Sequence, residues 1–220
     1  MVGGERLDLE VPDSGQIALA LSLVAGYLAG SIPSGYWVVR AFAHTDIRRH
    51  GSGNIGTTNV WRTFGRRYGV PVALLDTAKG FVPAFVFFHA VSPLAGVLAG
   101  AAAMLGHARP LFLRFERGGK MVATAGGAFL GVAPLVGAVS AIVWIAAFLL
   151  TRYASVASMA AALSLPIAAF ALGKPWPVVL FALAAAAAVA FLHRANIGRL
   201  LRGEENRFEL RHRRSKPLRT

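Results

Sequence analysis

A glycine-rich, basic segment at residues 50–67, HGSGNIGTTNVWRTFGRR, carries the residue types that bind phosphate. Glycines let the backbone approach a ligand closely, and the Ser, Thr and Asn side chains between them offer uncharged hydrogen-bonding groups. Arginine supplies the charge, since its planar guanidinium fork matches a pair of anionic oxygens. The candidate phosphate-binding residues in this segment are Gly51, Ser52, Gly53, Asn54, Thr58, Asn59 and Arg62.

The letters GSGNIG in this segment also match the GxGxxG dinucleotide fingerprint, which has meaning only between a strand and a helix. The preceding residues, 14–39, carry no charged side chain and are too long for a strand. A Rossmann fold is therefore disfavoured. The remaining alternative is a solvent-exposed loop that binds no ligand and whose arginines only keep it on the cytoplasmic side of the membrane.

Two further segments combine polar groups with positive charge. In RFERGGK, at residues 114–120, Gly118, Gly119 and Lys120 open a helix, whose N–H groups and positive end attract an anion. A Walker motif is absent, because it would require glycine at 114 and Ser or Thr at 121. In the third segment, residues 192–208, His193 and Asn196 share a face if the last helix continues through them.

Long apolar runs must position these segments. A spanning helix needs about 20 apolar residues, and the runs at 14–39, 80–108, 121–151, 153–173 and 175–193 carry no Asp, Glu, Lys or Arg. Pro134 and its neighbouring glycines divide the run at 121–151 into two helices. The sequence thus predicts an all-α, polytopic membrane protein with about seven transmembrane helices, at 14–39, 69–89, 94–113, 121–132, 135–150, 154–172 and 177–192.

Individual residues within these helices are also informative. Pro33 predicts a kink at the end of the first helix, where Gly26 and Gly30 allow a neighbouring helix to pack closely. Asp76 and Lys79 lie three residues apart on one face of the second helix. Ionisable residues at membrane depth indicate function, although a purely structural ion pair is an equally good interpretation.

Basic residues predict the orientation, because Lys and Arg are enriched in cytoplasmic loops. With the N-terminus outside and the C-terminus in the cytoplasm, every Lys and Arg lies on the inner side except Arg6, Lys79 and Lys174. The formal net charge of +13 therefore reflects cytoplasmic loops, and no nucleic-acid partner is predicted. The absence of cysteine excludes thiol catalysis and disulfides.

The three polar segments are expected to converge at the cytoplasmic surface of the bilayer. Such a site suits a substrate with an anionic head and an acyl tail, and positioning with charge stabilisation is the most economical mechanism. No metal is predicted. Two alternatives are an organic-phosphate transporter, whose site would lie near the bilayer midplane, and a non-catalytic lipid-binding scaffold.

The motifs in combination resemble a known family, the bacterial acyl-phosphate:glycerol-3-phosphate acyltransferases called PlsY. The matching stretches, which cover nearly the whole chain, are GSIPSGY at 30–36, GSGNIGTTNVWRTFG at 51–65, LDTAKG at 75–80, LGH at 105–107, GGK at 118–120 and HRANIGRLLRGEENRF at 193–208. The resemblance implies transfer of a fatty acyl group from acyl phosphate to the 1-hydroxyl of sn-glycerol 3-phosphate. The products would be lysophosphatidic acid, in the first step of phospholipid synthesis, and inorganic phosphate.

The resemblance also implies a multi-pass enzyme of the bacterial plasma membrane that works on its cytoplasmic face without a cofactor. Residues carried over by position are Ser52, Arg62, His193 and Asn196 as catalytic residues, Gly118, Gly119 and Lys120 as phosphate ligands, and Glu205 as a structural residue. Within the helices, we expect Lys79 to contact phosphate and Asp76 and His107 to be structural. Either His193 or the substrate's own phosphate accepts the hydroxyl proton.

The second motif departs from the family pattern. Arg109 stands before Pro110 where an aromatic residue is usual, the segment FERGGKM has an apparent extra residue, and Met121 replaces glycine. We expect Met121 to weaken phosphate binding or displace the loop, since its side chain stands where backbone approaches phosphate. Residues 1–205 are expected to form a single transmembrane domain, followed at 206–220 by a disordered basic tail on anionic lipid headgroups.

Overall fold

The structure, a computed structural model, describes residues 13–208, and within that range its regular elements are ten α-helices and two 3₁₀ turns. The helices are α1 (Ser14–Gly30), α2 (Ser34–Ala43), α3 (Thr57–Phe64), α4 (Arg66–Ala90), α5 (Pro93–Ala108), α6 (Val122–Val132), α7 (Pro134–Thr151), α8 (Ala154–Ala171), α9 (Trp176–Leu192) and α10 (Arg194–Leu201). The 3₁₀ turns cover Ile47–Arg49 and Leu111–Leu113. The all-α prediction is confirmed, and residues 209–220 of the predicted tail lie outside the described residues.

Five helical segments are long and apolar enough to cross a membrane: Ser14–Ala43, Arg66–Ala90, Pro93–Leu113, Pro134–Thr151 and Ala154–Ala171. A sixth is added if α9 and α10, which meet at an angle of 56°, form one broken span. The predicted count of seven includes α6, which has only 11 residues and is too short to qualify. The structure thus supports a polytopic membrane protein with five or six long spans.

The first predicted helix forms one span, Ser14–Ala43, that is interrupted at residues 31–33, beside the kink predicted at Pro33. Helix α1 ends at Gly30, and α2 begins at Ser34 after Pro33, because proline cannot donate the hydrogen bond that would continue the helix. The sequence analysis missed α3, which forms inside the loop predicted at residues 40–68. Its ends are set by Gly56 and by Gly65, whose φ of 85° stops the helix.

Glycines allow two pairs of helices, α1 with α5 and α4 with α6, to pack closely. A Cβ atom on Gly30 would lie 2.0 Å from the carbonyl oxygen of Ala103, so α1 and α5 touch backbone to backbone, as predicted. A Cβ atom on Gly80 would lie 2.0 Å from the carbonyl oxygen of Thr124, which brings α4 equally close to α6. These contacts fix the helix ends that carry the polar segments.

The short helix α6 is at the centre of the core. Its Phe129 is fully buried and stacks on Phe181 of α9 at a centroid distance of 4.5 Å. The outer helices instead expose large apolar side chains, including Leu150 of α7 at 82% and Phe170 of α8 at 72%. An apolar core with an apolar exterior is the pattern expected of a protein solvated by lipid.

Candidate active site

The loop between the 3₁₀ turn at Ile47–Arg49 and α3 is built around Asn59. The Asn59 side chain, which is 3% exposed, accepts a hydrogen bond from the Ser52 N–H at 2.9 Å and donates to the carbonyl oxygens of His50 and Asn54 at 3.0 and 2.8 Å. All its polar atoms are therefore engaged within the loop. This geometry gives Asn59 a positioning role and does not support its predicted direct contact with phosphate.

The loop presents its remaining candidates outward. Gly51 and Gly53 adopt φ values of 58° and 70°, and these left-handed conformations turn the chain so that Ser52 is exposed. Thr58 lies in the first turn of α3, where backbone N–H groups have no acceptor within the helix. The loop thus combines an exposed hydroxyl with unpaired amides, as a phosphate site requires.

Two contacts join this loop to the second basic segment. The side-chain amide of Asn54 donates to the carbonyl oxygen of Gly118 at 3.1 Å and accepts from the Gly56 N–H at 2.8 Å. Arg48, held by Asp46, also forms an ion pair with Glu116. The predicted convergence of the first two segments is therefore confirmed, and the extra residue near Glu116 takes part in it.

The amides of Gly118 and Gly119 are already used. The Gly118 N–H donates to the carbonyl oxygen of Ala108, and the Gly119 N–H donates to that of His107, both at 2.9 Å. A Cβ atom on Gly119 would lie 1.9 Å from Nε2 of His107. The two glycines thus seat the loop against the end of α5, and their binding of an anion stays a prediction.

Met121 does not stand in the path of a ligand. Its φ is 67°, the left-handed conformation that favours glycine, and its side chain is 5% exposed within the apolar core around Phe129. The expectation that Met121 displaces the loop is not met, since Gly118 and Gly119 keep their contacts with α5. The cost of methionine here is backbone strain rather than a blocked site.

Lys120 connects the second segment to the third. Its ammonium group donates to the side-chain oxygen of Asn196, and the Asn196 amide donates to Glu205 at 2.7 Å. Glu205 also accepts hydrogen bonds from Arg199 at 2.7 Å and Ser155 at 2.9 Å. This chain of contacts holds Lys120 and Asn196 in place, and it is compatible with the structural role predicted for Glu205.

Burial and neighbouring charges set the electrostatics of this network. Burial lowers the pKa of Lys120 to about 8, although the Glu205 carboxylate acts in the opposite direction. For Glu205, burial would raise the pKa, but hydrogen bonds from Asn196, Arg199 and Ser155 outweigh it and lower the pKa. Glu205 therefore stays ionised, while Lys120 is charged at neutral pH and ready to bind a stronger anion.

His193 lies at the bend between α9 and α10. The predicted last helix, 177–192, ends where α9 ends, and the condition for His193 and Asn196 to share one continuous helix is not met, since α10 turns away by 56°. The Nδ1 atom of His193 is 2.8 Å from the carbonyl oxygen of Val189, and a carbonyl only accepts, so Nδ1 carries the proton. The other ring nitrogen, Nε2, is then an acceptor in the neutral ring, which is the form that a general base requires.

Asp76, Lys79 and His107 form a buried cluster behind the GGK loop. The Lys79 ammonium lies 2.9 Å from Asp76 and donates to the carbonyl oxygen of Ile32, between α1 and α2, which also accepts from the Ser34 N–H. Asp76 lies 3.8 Å from Nδ1 of His107. Both described contacts of Lys79 are internal, so its position supports the structural interpretation and not the predicted phosphate contact.

Arg62 extends from the last turn of α3, and its guanidinium lies 5.5 Å from the ring centre of Phe208. Sequence reasoning gave no role to Phe208 or Ser155, because their partners are distant in the chain, nor to Arg199, whose partner Glu205 is six residues away but carries no recognisable pattern with it. Within residues 13–208, no group of three or more His, Asp or Glu side chains is placed to hold a metal ion.

The fold and the site together define an integral membrane protein with a cationic, hydrogen-bonded site where three helix-terminal segments meet. The family model for glycerol-3-phosphate acyltransferase matches residues 20–203, and the chain belongs to this family. Its sequence is 50% identical to a glycerol-3-phosphate acyltransferase of Desulforudis audaxviator, over 88% of this chain and 98% of the relative. A second relative with that name, from a Roseiflexus species, is 48% identical over 87% and 96% of the two chains.

Solved structures agree with this assignment. The crystal structure of PlsY, an integral membrane glycerol 3-phosphate acyltransferase, in its glycerol 3-phosphate form superposes with a TM-score of 0.83 at 40% identity, over 87% of this chain and 96% of that one. Its lysophosphatidic acid form gives a TM-score of 0.81 at 39% identity, over the same shares of the two chains. The resemblance inferred from the motifs is confirmed.

Proposed function

We propose that this glycerol-3-phosphate acyltransferase takes its fatty acyl group from acyl phosphate and transfers it to the 1-hydroxyl of glycerol 3-phosphate. The observation that carries the proposal is the convergence of Arg62, Lys120 and Asn196, whose polar groups suit two phosphate-bearing substrates. The related structures are described as glycerol 3-phosphate and lysophosphatidic acid forms, which correspond to the acceptor and the product of this reaction.

In the proposed reaction, the acceptor oxygen attacks the carbonyl carbon of acyl phosphate and the carbon–oxygen bond to phosphate breaks. Lys120 and Arg62 bind the phosphates and stabilise the charge that develops on the carbonyl oxygen and the leaving group. Ser52 contributes its exposed hydroxyl to the same anion. The hydroxyl proton passes either to Nε2 of His193 or to the substrate's own phosphate, and the bonding electrons leave with inorganic phosphate.

The membrane arrangement is part of the proposal. The pair α1 and α2, together with α4 to α9, would make seven crossings, with the N-terminus outside and the C-terminus in the cytoplasm. The concentration of Lys and Arg in the site segments supports a cytoplasmic active site in the bacterial plasma membrane. Residues 1–205 would form one catalytic domain, although contacts of Phe208 extend the packed chain by three residues.

The test is phosphate release by the purified protein in detergent, given palmitoyl phosphate with and without glycerol 3-phosphate. Release that depends on the acceptor, and that falls at least about 100-fold in Arg62→Ala, is expected if Arg62 stabilises the transition state. The matched control is Arg202→Ala, since Arg202 is exposed and, among residues 13–208, its ion pair is with the exposed Glu204. Release that is independent of the acceptor, or equal loss in both variants, contradicts the proposal.

Neither alternative function gains support. A transporter requires a site near the bilayer midplane between broken helices of related halves. In this chain the charges at membrane depth, Asp76 and Lys79, pair with each other. The relatives compared above are named for acyl transfer and not for transport or scaffolding.

A further inference from the structure

The chain after α10 returns to the bundle and ends its described part at Phe208. The Phe208 N–H donates to the carbonyl oxygen of Arg152, in the turn between α7 and α8, at 2.8 Å. Its ring packs edge-on against Phe148 of α7 at a centroid distance of 5.4 Å. Both backbone and ring of Phe208 are therefore fixed by the α7–α8 corner, where Ser155 also donates to Glu205.

Two side chains of α3 lie against the same ring. The guanidinium carbon of Arg62 is 5.5 Å from the centre of the Phe208 ring, within the range of a cation–π contact, and Trp61 meets the ring at 6.4 Å. Within residues 13–208, Arg62 forms no ion pair with a carboxylate. The aromatic ring is thus the group that orients this guanidinium.

We propose that Phe208 is a positioning residue, which holds the Arg62 guanidinium in place for the phosphate of glycerol 3-phosphate. A carboxylate partner would orient Arg62 equally well, but it would compete with phosphate for the same N–H donors. An aromatic face attracts the cation and leaves the donors at the guanidinium edge available. The inference rests on the proposed function, because it assumes that Arg62 binds a substrate phosphate.

The same short segment organises the opposite side of the site. Glu205, three residues before Phe208, holds Asn196 and through it Lys120. The segment from Glu205 to Phe208 therefore reaches both Lys120 and Arg62, which come from different parts of the chain. In this proposal, Phe208 sets the position of the Arg62 guanidinium relative to the Lys120 ammonium.

The experiment measures the affinity for glycerol 3-phosphate by calorimetry in detergent, together with acceptor-dependent phosphate release. The variants are Phe208→Leu, Phe208→Tyr, Arg62→Ala and the double variant Phe208→Leu with Arg62→Ala. Tyr153→Leu is the matched control, since it removes the neighbouring contact of Arg207 with an aromatic ring at 5.9 Å and leaves Arg62 untouched. Phe208→Met replaces Phe208→Leu if the latter does not give folded protein.

We expect Phe208→Leu to weaken glycerol 3-phosphate binding about three- to tenfold, while Phe208→Tyr and Tyr153→Leu bind like the parent. In the Arg62→Ala background, the loss of the ring should have no further effect, because the two residues act as one unit. Parent-like affinity in Phe208→Leu, or losses that add in the double variant, overturns the inference. A parent that binds glycerol 3-phosphate but releases no phosphate overturns the proposed function, and the binding cycle still decides the role of Phe208.

Discussion

Lys120 is the site residue whose charge is most sensitive to pH. Burial lowers its pKa to about 8, and the cations Arg199, Arg117 and Arg62 add to this effect while Glu205 opposes it. An ordinary lysine keeps its charge to about pH 10. Lys120 is therefore protonated at pH 7 and loses its charge near pH 8, where most lysines remain protonated.

This position of the pKa predicts weaker substrate binding at alkaline pH. As pH rises through about 8, the free enzyme loses the Lys120 charge, so kcat/KM for glycerol 3-phosphate should fall about tenfold per pH unit above the pKa. In Lys120→Arg the decline should be absent up to pH 9.5, because arginine stays protonated. Steady-state kinetics from pH 6.5 to 9.5 measure both profiles, and identical profiles would show that another group controls binding.

Substitutions of Met121 compare the cost of backbone strain with the stability gained from side-chain packing. Replacement by glycine relieves a left-handed conformation that costs about 1 kcal/mol, but it removes a buried side chain worth about 2 kcal/mol or more. We therefore expect Met121→Gly to melt at a lower temperature than the parent, with no gain in kcat. Met121→Ala should be less stable than Met121→Gly, because it loses the packing and keeps the strain. The thermal unfolding midpoint in detergent ranks the three proteins, and a faster Met121→Gly would show that the side chain obstructs the substrate.

Residues whose types indicate phosphate chemistry were easier to single out in the sequence than the residues that hold them in place. Lys120, Arg62 and Asn196 were identified because their types and family motifs indicate phosphate chemistry. The hydrogen bonds of the Gly118 and Gly119 amides to α5 were not predicted, since they depend on tertiary packing that no local pattern reveals. Phe208 had no signal at all, because an aromatic residue at the end of a basic segment is unremarkable until its ring meets Arg62.

Apolar runs predicted the long helices to within a few residues, because length and hydropathy alone decide which segments suit a bilayer. The division at Pro134 was correct, and α6 and α7 begin and end near the predicted positions. Helix α3 was missed, since it is short and amphipathic and its stability comes from packing. The end of the last long helix at residue 192 was predicted correctly, but its 56° angle to α10 was not, because neither proline nor glycine marks the bend.

Close contact between α1 and α5 gives a prediction with an internal control. A Cβ atom on Gly30 would lie 2.0 Å from the Ala103 carbonyl oxygen, whereas one on Gly126, in α6, would meet nothing within 4 Å. Gly30→Ala should therefore destabilise the protein by about 1–3 kcal/mol, while Gly126→Ala should stabilise it by up to about 1 kcal/mol through helix propensity. Thermal unfolding in detergent distinguishes them, and equal midpoints would show that α1 moves freely against α5.

The three polar segments meet because the helices that carry them end on one side of the bundle. Asn54 joins the first segment to the second, and Lys120 joins the second to the third. Positive charge gathers at the same place, which would give the bundle a cationic face and leave its other end nearly free of charge. Charge asymmetry of this kind determines orientation in a membrane.

The proposed orientation predicts which side of the membrane each helix end faces. The chain contains no cysteine, so a single introduced cysteine reports its own exposure to a membrane-impermeant maleimide. On intact bacterial cells, Lys174→Cys, between α8 and α9, should be labelled, whereas Arg202→Cys, just after α10, should react only after the membrane is permeabilised. Both variants should keep acyltransferase activity, since neither residue contacts the proposed site. Labelling of Arg202→Cys on intact cells, with protection of Lys174→Cys, would place the active site on the outer face, away from acyl donors made in the cytoplasm.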